Sequence, residues 1–329
     1  PAVINLSLGG HWGAHDGTSA IENVIAAETG PGRIIVVAAG NEGSDNIHWN
    51  DTLIEGQILT LTSLVQDDGF QFVDIWIPRG DEVSLELDID NGQIVPIDGL
   101  YHPVANGGRV GGVARVDPIN NDQNVTLFFD ACALGTHAEL RIDGVTVTQG
   151  HVHAWGGPRE ANIFPTATNE YSIGMPATEE QAISVASFVS RNRIRSGDPT
   201  LPGLMVGERS GFSSIGPTRY DVQKPDISAP GQFITAALAD NSEMANSPKF
   251  TSFRDAGGEL ISIQGTSMAT PFVAGVIALM LETEPGLNPG EIKQRLRATA
   301  TRNATTGRIW NNQYGVGRID VEALLDYGN

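Results

Sequence analysis

Apolar and polar positions follow three successive rhythms along this chain of 329 residues. From Pro1 to about Ile47 the pattern alternates strand, helix, strand. AVINLSL, residues 2–8, is a short apolar strand. TSAIENVIAAET, residues 18–29, has apolar residues at helical spacing, with Thr18 or Ser19 as N-cap and Gly30, Pro31 and Gly32 as the stop. RIIVVAAG, residues 33–40, is a continuous β-branched run, as expected of a strand buried on both faces of a parallel sheet. The three predict one βαβ unit.

From about Trp49 to Phe164 the helical period vanishes. Short alternating segments replace it: QILTLTSLV, QFVDIWIP, VSLELDI, NVTLFFDA and HAELRIDGVTVTQG. The turn signals DDG, PRGD, DNG, NGG and IDG separate them, and strands at this spacing predict an antiparallel β-sandwich. After Pro165 the first pattern returns. AISVAS and KPDISAPG read as buried strands, Thr266–Glu282 and Pro289–Thr299 as helices. Asn288 followed by Pro289 is an N-cap with proline at the first helical position. The expectation is an α/β fold, a parallel sheet flanked by helices, with an inserted antiparallel sandwich. Residues 1–46 and 168–329 form the α/β part and 47–167 the insert.

Composition narrows this picture. The length suggests about two domains. The chain is 40% hydrophobic and 18% charged, with 39 Gly and 18 Pro, which describes a loop-rich globular protein. No apolar run reaches the roughly 18 residues of a membrane span; the longest, Phe272–Leu281, reads as a buried helix. A formal charge of −19 argues against nucleic acid as a partner and is compatible with secretion or bound cations. The one cysteine, Cys132, excludes an internal disulfide, and its apolar setting in FFDACALG reads as buried filler. Pro1 opens directly on a core strand without a start methionine or signal peptide, so the expectation is a chain cut from something longer.

Three stretches carry candidate chemistry. In GTSMATPFVAGVIALML, residues 265–281, Ser267 sits in a turn at the start of a long apolar helix. Unpaired helix N–H groups there favour a developing anion, although a serine at a helix start is more often a simple cap. In VVAAGNEG, residues 36–43, Asn41 projects from a strand tip. It is a turn residue on the bland reading and an amide donor for an oxyanion on the sharp one. In NLSLGG, residues 5–10, an edge-like strand ending in two glycines could pair with an extended peptide.

In this order, together with PATEEQAISVAS (176–187) and FSSIGPTRYDVQKPDISAPG (212–231), these stretches resemble the subtilase (S8) family of serine proteases. The resemblance covers residues 1–46 and 168–329. It implies a serine endopeptidase with Ser267 as nucleophile. The Asn41 amide and the Ser267 N–H would form the oxyanion hole. Ser7, Leu8 and Gly9 would pair with the substrate, Ala38, Ala39 and Gly40 would wall the specificity pocket, and Gly174 would be its floor, open to a large apolar side chain. GAHDGTS and GTHAELRIDGVTVTQGHVHAWGGPR are similar to clostridial Csp-type subtilases, which carry a jelly-roll insert after the GNEG turn.

The family's catalytic Asp and His lie in D-[ST]-G and H-G-T-like motifs before NLSLGG, and neither motif occurs in this chain. Both are therefore expected upstream of Pro1, with the chain alone nearly inert because a serine without its base is a poor nucleophile. His15, next to Asp16, is an unsuitable substitute, since base and orienting acid must meet across space; a loop beside the substrate cleft is the expectation. His151 and His153 share one strand face and read as packing rather than metal ligands. No cofactor is required on this reading. Calcium could bind acidic turns such as Asp88, Asp90 and Asn91, or Asp117 to Asp122, although solvated turns fit as well. Polypeptide substrate is the implied partner, with the upstream part as propeptide or separate chain, no nucleic acid and no membrane. A bacterial, secreted or spore-associated setting is favoured. Two other readings remain: a non-catalytic relative that binds or regulates a protease, and a carbohydrate- or protein-binding sandwich with Trp76, Tyr101 and Trp155 on one face.

Overall fold

The computed structural model describes residues 1–327 except 67–68, 158–162 and 196. The Asp67–Asp68 part of the DDG turn and Pro158–Arg159 of the GGPR stretch lie outside the described residues.

The chain begins with β1 (Ala2–Leu6), α1 (Ala20–Glu28) and β2 (Arg33–Ala38). Ser19 is the N-cap of α1, and Glu22 accepts its backbone N–H at 3.0 Å. Ten strands follow: β3 (His48–Thr52), β4 (Ile58–Leu64), β5 (Gln71–Ile77), β6 (Glu82–Ile89), β7 (Gln93–Val95), β8 (Tyr101–Pro103), β9 (Arg109–Val116), β10 (Gln123–Asp130), β11 (His137–Thr146) and β12 (His151–Gly156). The chain closes with β13 (Ile183–Phe188), β14 (Ile227–Pro230), β15 (Ile234–Ala237), α2 (Glu243–Asn246), β16 (Leu260–Ile263), α3 (Thr266–Thr283), α4 (Pro289–Thr299) and α5 (Val321–Leu325).

Strands β1, β2, β13 and β14 form a parallel sheet in the order β1-β2-β13-β14. The continuous apolar run of β2 is explained by burial on both faces. Ile34 and Val36 pack with Val273, Ile277 and Met280 of α3, while Ile35 and Val37 pack with Ile25 of α1 and with Ile173, Ala177 and Ala182. Asn288 caps α4 by accepting the Glu291 N–H at 3.0 Å, and the Glu291 carboxylate accepts the Asn288 N–H at 2.8 Å. Strand β1 is an edge among the described residues, with Ile4 and Leu8 exposed there and Ile21 and Val24 exposed on α1.

Strands β3 to β12 form two antiparallel sheets, ordered β3-β12-β5-β10-β9-β8 and β4-β11-β6-β7. Alternate residues of each strand meet in one core, including Leu61, Ile75, Leu87, Val110, Leu127, Leu140 and Val152. This is the sandwich that the period-2 pattern predicts. Strands β3, β7, β8 and β9 escape the sequence pattern because they are short or carry Gly, His and Trp at core positions. Cys132 is buried as expected; its Sγ donates to the Arg109 carbonyl at 3.4 Å, and burial pushes the thiol up.

The sandwich packs on the residues 11–16 loop and on the 171–221 region. Asp74 accepts the Gly13 N–H at 2.9 Å. Asn120 donates to Asp16 at 2.8 Å, and Arg219 pairs with Asp122 at 2.6 Å with both side chains buried. Trp155 donates to the Tyr171 carbonyl at 2.9 Å. Trp76 and Trp155 are buried at this junction with Ala14, so they cannot belong to an exposed aromatic face. Tyr101 is exposed, and its ring lies 6.3 Å from that of Phe128, which also neighbours Phe70 and Trp12.

Candidate active site

Gly265 takes φ 153° and ψ 159° as the N-cap of α3, a conformation that favours glycine. Ser267 is the second helical residue and therefore not the cap. Its Oγ donates to the Ser7 carbonyl at 3.3 Å, and the Ser7 hydroxyl donates to the Ser267 carbonyl at 2.8 Å. The start of α3 is thus tied to the end of β1. The Ser267 N–H lies in the first helical turn, where no intrahelical acceptor exists.

Asn41 follows β2 and meets the same turn. Its Oδ1 accepts the Thr266 N–H at 2.9 Å and the Thr266 hydroxyl at 3.1 Å. With the oxygen occupied, the Asn41 NH₂ is the free donor of the side chain. Gly40 holds φ 114°, and a Cβ there would lie 2.5 Å from Ser214 Oγ. Gly43 is more constrained, because a Cβ would collide with the Ser213 carbonyl. Both glycines are required for this turn to sit against residues 213–214.

Gly174 joins the two strand ends. Its N–H donates to the Ala39 carbonyl at 2.9 Å, while Met175 and Gly10 exchange N–H···O bonds of 2.9 and 3.0 Å. A Cβ on Gly174 would meet the Gly10 backbone at 3.4 Å and His11 Cε1 at 3.8 Å, both ordinary contacts. The backbone and ring of Gly10 and His11 therefore face this glycine. Ser267 itself lines a cavity of about 320 Å³ with Met244, Phe250, Phe253 and Met268. The sequence reading missed these residues, because nothing local links positions 244–253 to position 267.

None of the seven histidines hydrogen-bonds Ser267 among the described residues. His102 contacts Asp98 at 3.0 Å in the sandwich, and His151 is exposed on β12. His15 departs from expectation: its ring is buried, not presented at a cleft. Its Nδ1 bonds the Ile173 carbonyl at 2.8 Å, and it stacks on Trp155 with centroids 4.1 Å apart. Asp16 instead accepts from Thr18 and Asn120, so His15 and Asp16 form no acid–base pair. His48 and His153 share a hydrogen bond of 3.0 Å inside the same junction. Burial pushes His15 and His48 well below the usual imidazole value, aided by neighbouring imidazoles. Burial, then the Arg219 charge, lowers His153 to about 3.

Among the described residues no three His, Cys, Asp or Glu side chains group as metal ligands. At the acidic turns, Asp88 accepts the Gly92 N–H, Asp90 accepts from His137 and Asn106, and Asp117 accepts from Ile119 and Asn120. Asp88 and Asp117 thus serve their own turns, while Asp90 ties its turn to residues 106 and 137.

The family described as "Subtilase family" matches residues 146–317, just over half of the chain. Serine protease AprX of Bacillus subtilis is 34% identical over 155 residues, 46% of this chain and 31% of that protein. Subtilisin-like protease SBT3.7 of Arabidopsis thaliana is 39% identical over 111 residues, 33% of this chain and 13% of that protein. The chain thus spans about a third or less of these curated relatives. Among solved structures, the Clostridium perfringens CspB protease matches 98% of this chain and 66% of its own, with TM-score 0.74 and 23% identity, a likeness of fold that includes the sandwich.

Proposed function

The chain belongs to the subtilase family, and on that premise we propose that it carries the nucleophile and oxyanion hole of a serine endopeptidase. One observation carries the reading. Ser7 with Ser267, and Asn41 with Thr266, form two hydrogen-bonded pairs that meet at the start of α3 from distant parts of the chain. Ser267 Oγ would attack the scissile carbonyl. The Asn41 NH₂ and the Ser267 N–H would then receive the charge that develops on the carbonyl oxygen. Ser7 to Gly9, just past β1, would pair with an extended polypeptide, and Ala38 to Gly40, at the end of β2, would wall the specificity pocket. Gly174 bridges them and would close the pocket between.

The base and its orienting acid come, on this proposal, from outside residues 1–329. Among the described residues Ser267 Oγ bonds only a carbonyl, and the exposed edge of β1 offers a place for further strands to pack. That upstream part would act in the same polypeptide or as a separate chain. Export from a bacterial cell, or association with its spore, belongs to the same proposal. Calcium is not needed for it. A non-catalytic, regulatory role is the second reading, and the lack of a hydrogen bond between Ser267 and any histidine among the described residues favours it.

Labelling with a fluorescent fluorophosphonate separates them. In the protein as its gene encodes it, Ser267 becomes labelled and Ser267→Ala abolishes the signal. Residues 1–329 alone label very slowly. Absence of labelling in the longer protein favours the second reading, and rapid labelling of 1–329 overturns the claim that the base lies outside it.

A further inference from the structure

The oxyanion donor is held from two sides, and the second side involves residues outside the group just described. Thr266 fixes the Asn41 side-chain oxygen. Glu42 fixes its backbone: the Asn41 N–H donates to Glu42 Oε2 at 2.6 Å. A glutamate in an exposed turn would rotate freely and give such a bond little persistence. Glu42 does not, because its carboxylate is boxed in by the buried His11 ring and hydrogen-bonded by Ser214. His11 Nε2 lies 3.2 Å from Oε2, with the His11 side chain 1% and the Glu42 side chain 16% exposed. Ser214 contributes twice, its Oγ donating to Oε2 at 3.3 Å and accepting the Glu42 N–H at 3.2 Å. Burial opposes ionisation of Glu42. The His11 contact and charge, the Asn41 N–H and the Ser214 hydroxyl outweigh it and hold the carboxyl below its ordinary value.

His11 is itself immobilised. Its ring stacks on His15 with centroids 5.2 Å apart and planes 11° apart, and His15 stacks on Trp155 of β12. The stack runs from the sandwich to the Glu42 carboxylate. A one-ångström drift of an oxyanion donor is costly, so a rigid support behind Asn41 has a chemical use.

We propose that Glu42, clamped by His11, is a positioning residue that aims the Asn41 amide at the oxyanion. It acts through Asn41. The proposal rests on the serine endopeptidase reading.

The test is a double-substitution cycle in the gene-encoded protein, with the saturating rate of Ser267 phosphonylation by a fluorescent fluorophosphonate as readout. Glu42→Ala lowers that rate about tenfold, less than the roughly 10²–10³ for loss of the donor itself, and changes the half-saturating concentration about threefold or less. In an Asn41→Ala background the same change costs nothing further. Glu42→Gln keeps an oxygen for the Asn41 N–H and recovers most of the rate. Should Glu42→Ala not fold, His11→Asn loosens the clamp while leaving Glu42. It gives a several-fold loss that likewise vanishes in the Asn41→Ala background. Equal losses with and without Asn41, or an effect on half-saturation alone, overturn the proposal. If the unsubstituted protein shows no Ser267-dependent labelling, the endopeptidase reading falls and the proposal with it.

Discussion

Asn41 and Thr266, 225 positions apart, are joined by two hydrogen bonds in which one amide oxygen accepts both the backbone N–H and the side-chain hydroxyl. The pairing leaves the amide nitrogen as the free end of Asn41, beside the N-terminus of α3. Removing one oxyanion donor costs about 10²–10³ in turnover, a range established in subtilisin itself. Asn41→Ala is expected to slow Ser267 phosphonylation by that order. Thr266→Val removes the hydroxyl and keeps the backbone donor, so a several-fold loss is expected. Labelling rates of the gene-encoded protein check both, and a Thr266→Val rate equal to that of Asn41→Ala would contradict the division of labour.

Arg219 and Asp122 tie the sandwich to the α/β part through a fully buried pair, with Tyr220 also donating to Asp122 at 2.9 Å. Removing one partner strands a charge in a low-dielectric site. Arg219→Ala is expected to cost about 3–5 kcal/mol, whereas Arg219→Met with Asp122→Leu should cost much less, since neither charge is left unpaired. Urea unfolding measures the difference. Equal losses for the single and double changes would mean that the pair is not what holds this junction.

Acid should loosen the same junction. His153 titrates at about 3 in the folded protein against 6.5 for a free imidazole, with His15 and His48 also depressed. Depressed imidazoles bind protons in the unfolded chain first, so stability is full above about 6.5 and falls as pH drops toward 3. The groups facing His153 are His48, His151, Trp155, Tyr171 and Arg219. Unfolding free energies between pH 7 and pH 4 should decline more steeply in the parent than in His153→Phe. Parallel curves would exclude His153 as a contributor.

Gly43 and Gly92 offer a steric contrast. A Cβ on Gly43 strikes the Ser213 carbonyl, whereas one on Gly92 meets nothing within 4 Å. Gly43→Ala is expected to cost about 3 kcal/mol, at the upper end for overpacking, and to slow labelling of Ser267 because the turn bearing Asn41 must shift. Gly92→Ala should stay within about 0.5 kcal/mol. Thermal unfolding of the two variants checks both values.

Much of this molecule was readable before any coordinate. The β-branched run of β2 announces burial on both faces, because only a strand inside a helix-covered sheet has no polar side. The Asn288–Pro289 cap fixes where α4 begins, and the Gly-Thr-Ser turn fixes where α3 begins. Period-2 alternation identifies the sandwich. These are local signals, set by backbone conformation and by which face of an element must leave water. The family's motifs added Ser267 and Asn41 as a pair worth joining.

What only the tertiary structure decided are the long-range pairings. Sequence pattern makes Glu42 an ordinary turn residue and His11 one histidine of seven. It cannot show that they meet, that Trp155 lies inside the junction instead of on a binding face, or that Met244 and Phe250 border Ser267. Each of these contacts depends on how separate elements dock. Docking is governed by the summed shape and burial of many side chains, for which no short stretch of sequence carries a record.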